Sequence, residues 1–462
     1  MQQFPSQTGD LISNEETPIT IAGKLSSQHV ADVAEWLNTQ EPAFAANIVD
    51  NMPIDIAVEV FEQPGFDHPQ KIIENLPIER AAAIIGSMSP DRRTDIFRLL
   101  PDDFKSRVLA LLDTSIKASL RQLQAYAPTS AGGLMTTEFV SMPGNWTVEQ
   151  ALQQVRNLSR AKEPIYAVYV TDPNTQKLLQ AVSLRQLLAS ERSRALAEVG
   201  ASSRPPISTS PDTDQEEVAR LISKYDLLAV PVLDDKGRMM GIVTVDDIID
   251  AIVQESTEDV QKFGGVAALE HPYMEIGFTT MIAKRAGWLC ALFLSEMLTA
   301  SAMQTFQSEL ERAVVLTLFI PLIMSSGGNS GSQATSLLIR ALALREVHLA
   351  DWWRVAVREL PTGMTLGAIL AIIGLIRIAV WQLSGFYDYG PHWHLVAITV
   401  AAALAGVVTF GSLSGSMLPF VLKGIGFDPA SASAPFVATL VDVTGLIIYF
   451  SVAYVVLKGT LL

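Results

Sequence analysis

The sequence predicts a multidomain membrane protein: an all-α N-terminal domain of solenoid type, an α/β repeat pair, and an all-α membrane domain of five helices. Three observations carry this reading. The net charge of -15 lies wholly in residues 1–270, where 38 acidic side chains meet 23 basic ones, while residues 271–462 hold ten of each. That neutral half contains five apolar stretches, each able to cover a hydrocarbon layer of ~30 Å at about 1.5 Å per residue. Residues 131–250 carry one pattern twice, about 60 residues apart.

The elements follow in order. Residues 1–20 are polar, without a basic start or an apolar core; they read as a disordered cytosolic tail and not a signal peptide. Over 21–130, apolar residues recur at helical spacing, as in Ala31-Asp-Val-Ala-Glu-Trp-Leu37 and Ala81-Ala-Ala-Ile-Ile85. Pro53, Pro77, Pro90 and Pro101 punctuate this region, each just after an apolar residue, and proline suits a first helical turn. Short units of this kind bury their stripes against their neighbours, which predicts an α-solenoid.

In 131–250, Thr147-Val-Glu-Gln-Ala-Leu152, Ile165-Tyr-Ala-Val-Tyr-Val170 and Leu179-Gln-Ala-Val-Ser-Leu184 are answered by Asp214-Gln-Glu-Glu-Val-Ala219, Leu228-Ala-Val-Pro-Val-Leu233 and Gly241-Ile-Val-Thr-Val-Asp-Asp247. This tandem resembles a pair of CBS domains, βαββα modules that sense small ligands. The resemblance implies a nucleotide such as ATP at Thr244 and Asp247, which keep the Thr-x-x-Asp arrangement; Ser183 and Gln186 of the first repeat depart from it. Residues 251–277 then read as a linking helix into the membrane domain, 278–462.

The expected spans are 279–302, 313–338, 360–383, 393–423 and 433–458, the fourth interrupted by glycines and open to a bend or break. Lys284, Arg285, Arg340, Arg345, Arg354, Arg358 and Lys423 gather on one side, and Arg312 is the one basic residue in an external loop. Basic loops stay in the cytosol, so the N-terminus is expected inside and the C-terminus outside. The single cysteine, Cys290, lies in an apolar segment, which leaves no disulfide framework and no thiolate metal site.

Asp442 is the most informative residue, because a carboxylate near the centre of a spanning helix costs ~2.5–3.5 kcal/mol. It is either a protonated or paired acid holding two helices together, or a cation site on a water-filled path. The second span supplies a complement in Pro321-Leu-Ile-Met-Ser-Ser-Gly-Gly-Asn-Ser-Gly-Ser-Gln333. Its glycines either pack helices closely or free backbone carbonyls for an ion, and Asn329 and Gln333 add amide oxygens. Carboxylate, carbonyl and amide donors without His or Cys favour a hard cation such as Mg2+, which keeps several waters and needs few protein ligands.

Together with Ala438-Thr-Leu-Val-Asp442-Val-Thr-Gly445, that motif resembles the MgtE family of magnesium channels, over nearly the whole chain. The resemblance implies a homodimer in the plasma membrane, magnesium as the ion conducted, and Asp442 of both subunits facing one hydrated ion. Ala438, Gly328 and Asn329 would complete the pore site. It also implies regulation by internal Mg2+ at Asp91, Asp95, Asp214, Asp226, Asp246, Asp247, Asp250, Glu255, Glu258, Asp259 and Asp428. The linking helix would then close the cytosolic mouth when magnesium is plentiful. Taken singly these are surface carboxylates; as a set on the acidic half they are expected to sense cations. The acidic half repels nucleic acid. Carriage of Mn2+ or Co2+ stays open. An intramembrane hydrolase is disfavoured, since no paired Asp stands in a neighbouring span, Ser325 and Ser330 belong to no Ser–His arrangement, and His392 with His394 has no acidic neighbour at metal spacing. A chloride path is disfavoured by the buried acid.

Overall fold

A computed structural model describes residues 17–158, 165–200, 205–269, 273–274 and 276–461. Most of the expected disordered tail, 1–16, lies outside the described residues, but Thr17 already accepts from the Thr20 amide and caps a helix that starts at Pro18. The chain forms two compact units that divide between Val253 and Gln254.

In the first unit, short helices run from Pro18 to Gln124 among the described residues: α1 Pro18–Leu25, α2 Val30–Asn38, α3 Pro42–Asp50, α4 Ile54–Phe61, α5 Pro69–Glu74, α6 Ile78–Ser87, α7 Pro90–Leu99, α8 Asp102–Leu111 and α9 Thr114–Gln124. The four punctuating prolines all stand at helix starts, Pro90 at the first turn of α7 and Pro53, Pro77 and Pro101 at the N-caps of α4, α6 and α8. Each helix packs on the one two places further along, α1 on α3 through α7 on α9, as a solenoid requires. One continuous apolar core from Ile21 to Leu120 results. Arginines satisfy the carbonyls left over at helix ends: Arg92 donates to Phe61 O (3.0 Å) and Gln63 O (2.9 Å), and Arg98 to Leu123 O and Tyr126 O (both 3.0 Å).

The repeat pair follows: α10 Ala131–Leu134, β1 Ser141–Pro143, α11 Val148–Asn157, β2 Ala167–Thr171, β3 Leu178–Ser183, α12 Leu184–Ala189, α13 Gln215–Tyr225, β4 Ala229–Leu233, β5 Met239–Thr244 and α14 Val245–Phe263. In the first repeat β1 runs parallel to β2 and β2 antiparallel to β3. In the second, β4 and β5 pair antiparallel and Thr209 bridges Val232 in parallel, repeating the pattern with its first strand reduced to a single bridge. The linking helix is not separate from the last repeat. α14 begins at Val245, ahead of the expected 251, because no breaker stands between Val245 and Phe263, and it stops at Gly264 and Gly265, the latter at φ +73°.

The second unit holds α15 Phe278–Thr305, α16 Gln307–Arg312, α17 Ile320–Ala343, α18 Trp352–Leu383, α19 Trp393–Gly424 and α20 Ala434–Leu457. Five segments are long and apolar enough to cross a membrane: 278–305, 314–343, 349–383, 393–424 and 434–457. The third starts earlier than expected and continues through Pro361, and the fourth does not break at its glycines. α19 lies at the centre, packed on α17, α18 and α20.

Candidate ion path and acidic clusters

The glycines of the second span divide into two groups. A Cβ on Gly327 would stand 2.6 Å from Val407 Cγ1 and 2.7 Å from Val441 Cγ1, and one on Gly331 would stand 2.7 Å from Val437 Cγ1. From the facing helix, a Cβ on Gly411 would come within 2.3 Å of Gly327 O, and one on Gly415 within 2.2 Å of Gly331 O. Backbone therefore touches backbone between α17 and α19, and Thr335 ties the two by donating to Gly415 O (2.7 Å) and Gly331 O (2.9 Å). Gly327 and Gly331 serve close packing, and the carbonyls of both face α19. Gly328 differs. A Cβ there would meet only Ala438, its Cβ at 3.4 Å and its Cα at 3.5 Å, across the seam between α17 and α20.

Beside that seam the two helices present polar groups outward. Ser325, Asn329, Gln333 and Ser336 form an exposed stripe on α17. On α20, Ala438 and Asp442 stand one turn apart, both half-buried. A polar stripe and an acid on an otherwise apolar pair of helices have one use in a bilayer, which is to line water or a partner. Sequence reasoning missed a further acid. Glu296, the nineteenth of the 28 residues of α15, is an exposed acid inside that span. The signal that singles out Asp442, an acid inside an apolar helix, applies equally to Glu296.

Outside the membrane helices the acids gather in two clusters, one in each unit. In the first, α7 supplies Asp91 and Asp95, and α14 supplies Asp246, Asp247 and Asp250. Burial, then the charge of Asp91, pushes the Asp247 carboxyl up to about 8, against a hydrogen bond from the Thr244 hydroxyl; Asp246 and Asp95 add to the rise. Burial raises Asp95, opposed by Arg98 (3.4 Å from it) and Arg92, and burial raises Asp250, opposed by Arg92. Thr244 and Asp247, the expected nucleotide pair, thus face each other and the α7 acids. In the first repeat Ser183 and Gln186 form a reciprocal capping box instead, with Gln186 Oε1 accepting from Ser183 N at 2.9 Å.

In the second cluster, Glu255, Glu258 and Asp259 on α14 meet Asp428 from the turn between α19 and α20. Burial, then the charges of Asp428 and Glu255, brings Asp259 up to about 6. Lys262 Nζ lies 2.5 Å from Glu258 Oε1 and 2.6 Å from Asp428 Oδ2. Burial alone would lower the Lys262 ammonium, but those two hydrogen bonds hold it above the ordinary lysine range. Asp214 and Asp226 join neither cluster and instead cap the two ends of α13. Asp214 accepts from Glu216 N at 2.9 Å, and Asp226 adopts the left-handed conformation at φ 52°. Among the described residues no three His, Cys, Asp or Glu side chains converge as a ready-made metal cage.

A family profile described as a divalent cation transporter, MgtE, matches residues 320–452; the MgtE intracellular N domain matches 28–129, and a CBS domain matches 196–254. The chain is 40% identical over 353 residues to the magnesium transporter MgtE of Thermus thermophilus, covering 76% of each chain. It is 35% identical over 334 residues to the magnesium transporter MgtE of Enterococcus faecalis, covering 72% of this chain and 70% of that one. A solved structure of the cytosolic domain of the Mg2+ channel MgtE in complex with ATP is 32% identical, covers 50% of this chain and 93% of its own, and superposes with a TM-score of 0.46. The chain belongs to the MgtE family of divalent cation transporters.

Proposed function

We propose that the protein is a magnesium channel of the plasma membrane, working as a homodimer, with its acidic domains in the cytosol and its C-terminus outside. The carrying observation is the exposed polar stripe of α17, Asn329 within it, and Asp442 of α20, beside the seam where Gly328 meets Ala438. A two-fold axis beside that face brings each residue to its twin, so two Asp442 carboxylates meet one hydrated dication. The relatives' shared substrate, magnesium, supports the choice of ion. Reconstituted in vesicles, the protein is expected to pass Mg2+ faster than Mn2+, Co2+ or Na+. A faster flux of Mn2+ or Co2+ would reassign the substrate, and no flux of any of these ions would remove the channel reading.

Regulation follows from the two acidic clusters. Each joins α14 to another element of its own unit, α7 in the first and the α19–α20 turn in the second. Internal Mg2+ bound at either would offset like charges that burial leaves poorly screened, and would hold α14 in the position that shuts the path. Nucleotide at the Thr244–Asp247 cleft would act on the same helix; binding of ATP lost in Asp247→Asn and kept in Ser183→Ala is the outcome expected by equilibrium dialysis.

A further inference from the structure

α15 is the least covered of the spans, with no buried residue along its length, and its main packing on another span is a narrow seam on α20. Two contacts set the register of that seam. Near its start Trp288 Nε1 donates to Ser433 Oγ at 2.9 Å, and the Trp288 ring lies 6.1 Å from that of Phe436. Near its end Phe306 stacks on Phe450 at 4.8 Å. The two helices thus run parallel. Glu296 stands eight residues beyond Trp288 and Asp442 six beyond Phe436, nearly the same fraction of the way between the two ring contacts. The acids therefore share about one depth.

A second polar group marks the seam. Ser301 and Thr305 donate to the carbonyls of Met297 and Ser301, at 3.2 and 3.1 Å, as hydroxyls in helices ordinarily do. Thr299, one turn from Glu296, does not: its hydroxyl oxygen is buried and meets no hydrogen-bond partner. An exposed acid with an unserved hydroxyl one turn away is ill-suited to a lipid-facing surface and well suited to a hydrated one.

We infer that Glu296 is a second acid of the conduction path, setting with Asp442 how tightly a divalent cation is held and how strongly it is preferred over a monovalent one. This rests on the reading of Asp442 as the pore acid. The physical reason is that Coulomb attraction scales with the charge of the ion, so each added carboxylate favours a dication twice as strongly as a monocation. Removing one negative charge therefore costs Mg2+ more affinity than it costs Na+.

The test uses the full chain in vesicles, with Mg2+ and Na+ as the probes. Glu296→Gln is expected to raise the half-saturating Mg2+ concentration by about tenfold or more while maximal flux changes little, to lower the Mg2+ preference over Na+, and to be rescued by Glu296→Asp. Wild-type half-saturation and selectivity in Glu296→Gln, with flux abolished in Asp442→Asn, overturn this inference and leave the pore reading standing. Full flux in both variants overturns both. Because a substitution in a span can impair folding, Glu296→Cys in a Cys290→Ala background supplies a second measurement. A water-borne, membrane-impermeant methanethiosulfonate should label residue 296, and Mg2+ should slow the labelling. An unreactive thiol in folded protein places the residue in lipid and overturns the inference.

Discussion

At the scale of single residues, two kinds of position carry the account: glycines where backbones touch, and acids held where charge is costly. Gly415→Ala pushes a methyl to within 2.2 Å of Gly331 O, a backbone atom that cannot swing aside. It should lower stability by about 2–3 kcal/mol or more, read as a fall in melting temperature in detergent, whereas Gly328→Ala, with its nearest contacts at 3.4 Å, should fold normally. Asp247 gives a pH test with a definite sign. Its carboxyl sits near 8 in the folded protein against 3.8 ordinarily, so the native state binds the extra proton. Stability should then be greatest at low pH and fall between about pH 4 and 8, since the unfolded chain releases that proton first. Asp247→Asn should flatten this slope in urea unfolding of the Mg2+-free protein, and a slope unchanged by the substitution would count against the buried like-charge cluster.

At the scale of elements, α14 joins the chemistry, and its Lys262 matters most. Lys262 bridges Glu258 and Asp428, filling with an ammonium the place where repulsion would otherwise part α14 from the α19–α20 turn. Lys262→Met should lower the melting temperature without Mg2+, and millimolar Mg2+ should recover most of the loss. Equal melting with and without Mg2+ in that variant would mean the acids of this cluster do not take the ion. Much of the element plan was legible beforehand. The proline-marked helix starts, the doubled βαββα pattern and the spans all rest on local periodicity, and local periodicity is what a sequence displays. What stayed hidden depends on partners distant in the chain. Arg92 caps Phe61 O from 31 residues away, and whether Gly327 frees a carbonyl or packs on Val407 is settled only by the neighbouring helix. Asp214 and Asp226 look like sensor acids in a list of carboxylates, yet their positions at the two ends of α13 give them capping work. Glu296 was visible throughout but lacked the glycine-rich companion motif that drew the eye to Asp442.

At the scale of the whole molecule, the segregation of charge is the organising fact: an acidic half that attracts cations and a neutral half that spans the bilayer. Gating should follow from the first and conduction from the second. Asp250→Asn and Glu258→Gln should each leave Mg2+ flux running at millimolar internal Mg2+, where the proposed gating closes the wild type. Closure at the same internal concentration as wild type in both would sever the acidic clusters from gating.

The central claim is that an acid inside the membrane persists because a dication compensates it. Mg2+ flux through vesicles bearing Asp442→Asn, which keeps the side chain's shape and removes its charge, tests this most directly. A loss of at least about a hundredfold is expected in protein that still folds, the equivalent of roughly 2.7 kcal/mol or more. Flux equal to wild type through a correctly folded Asp442→Asn protein would contradict it.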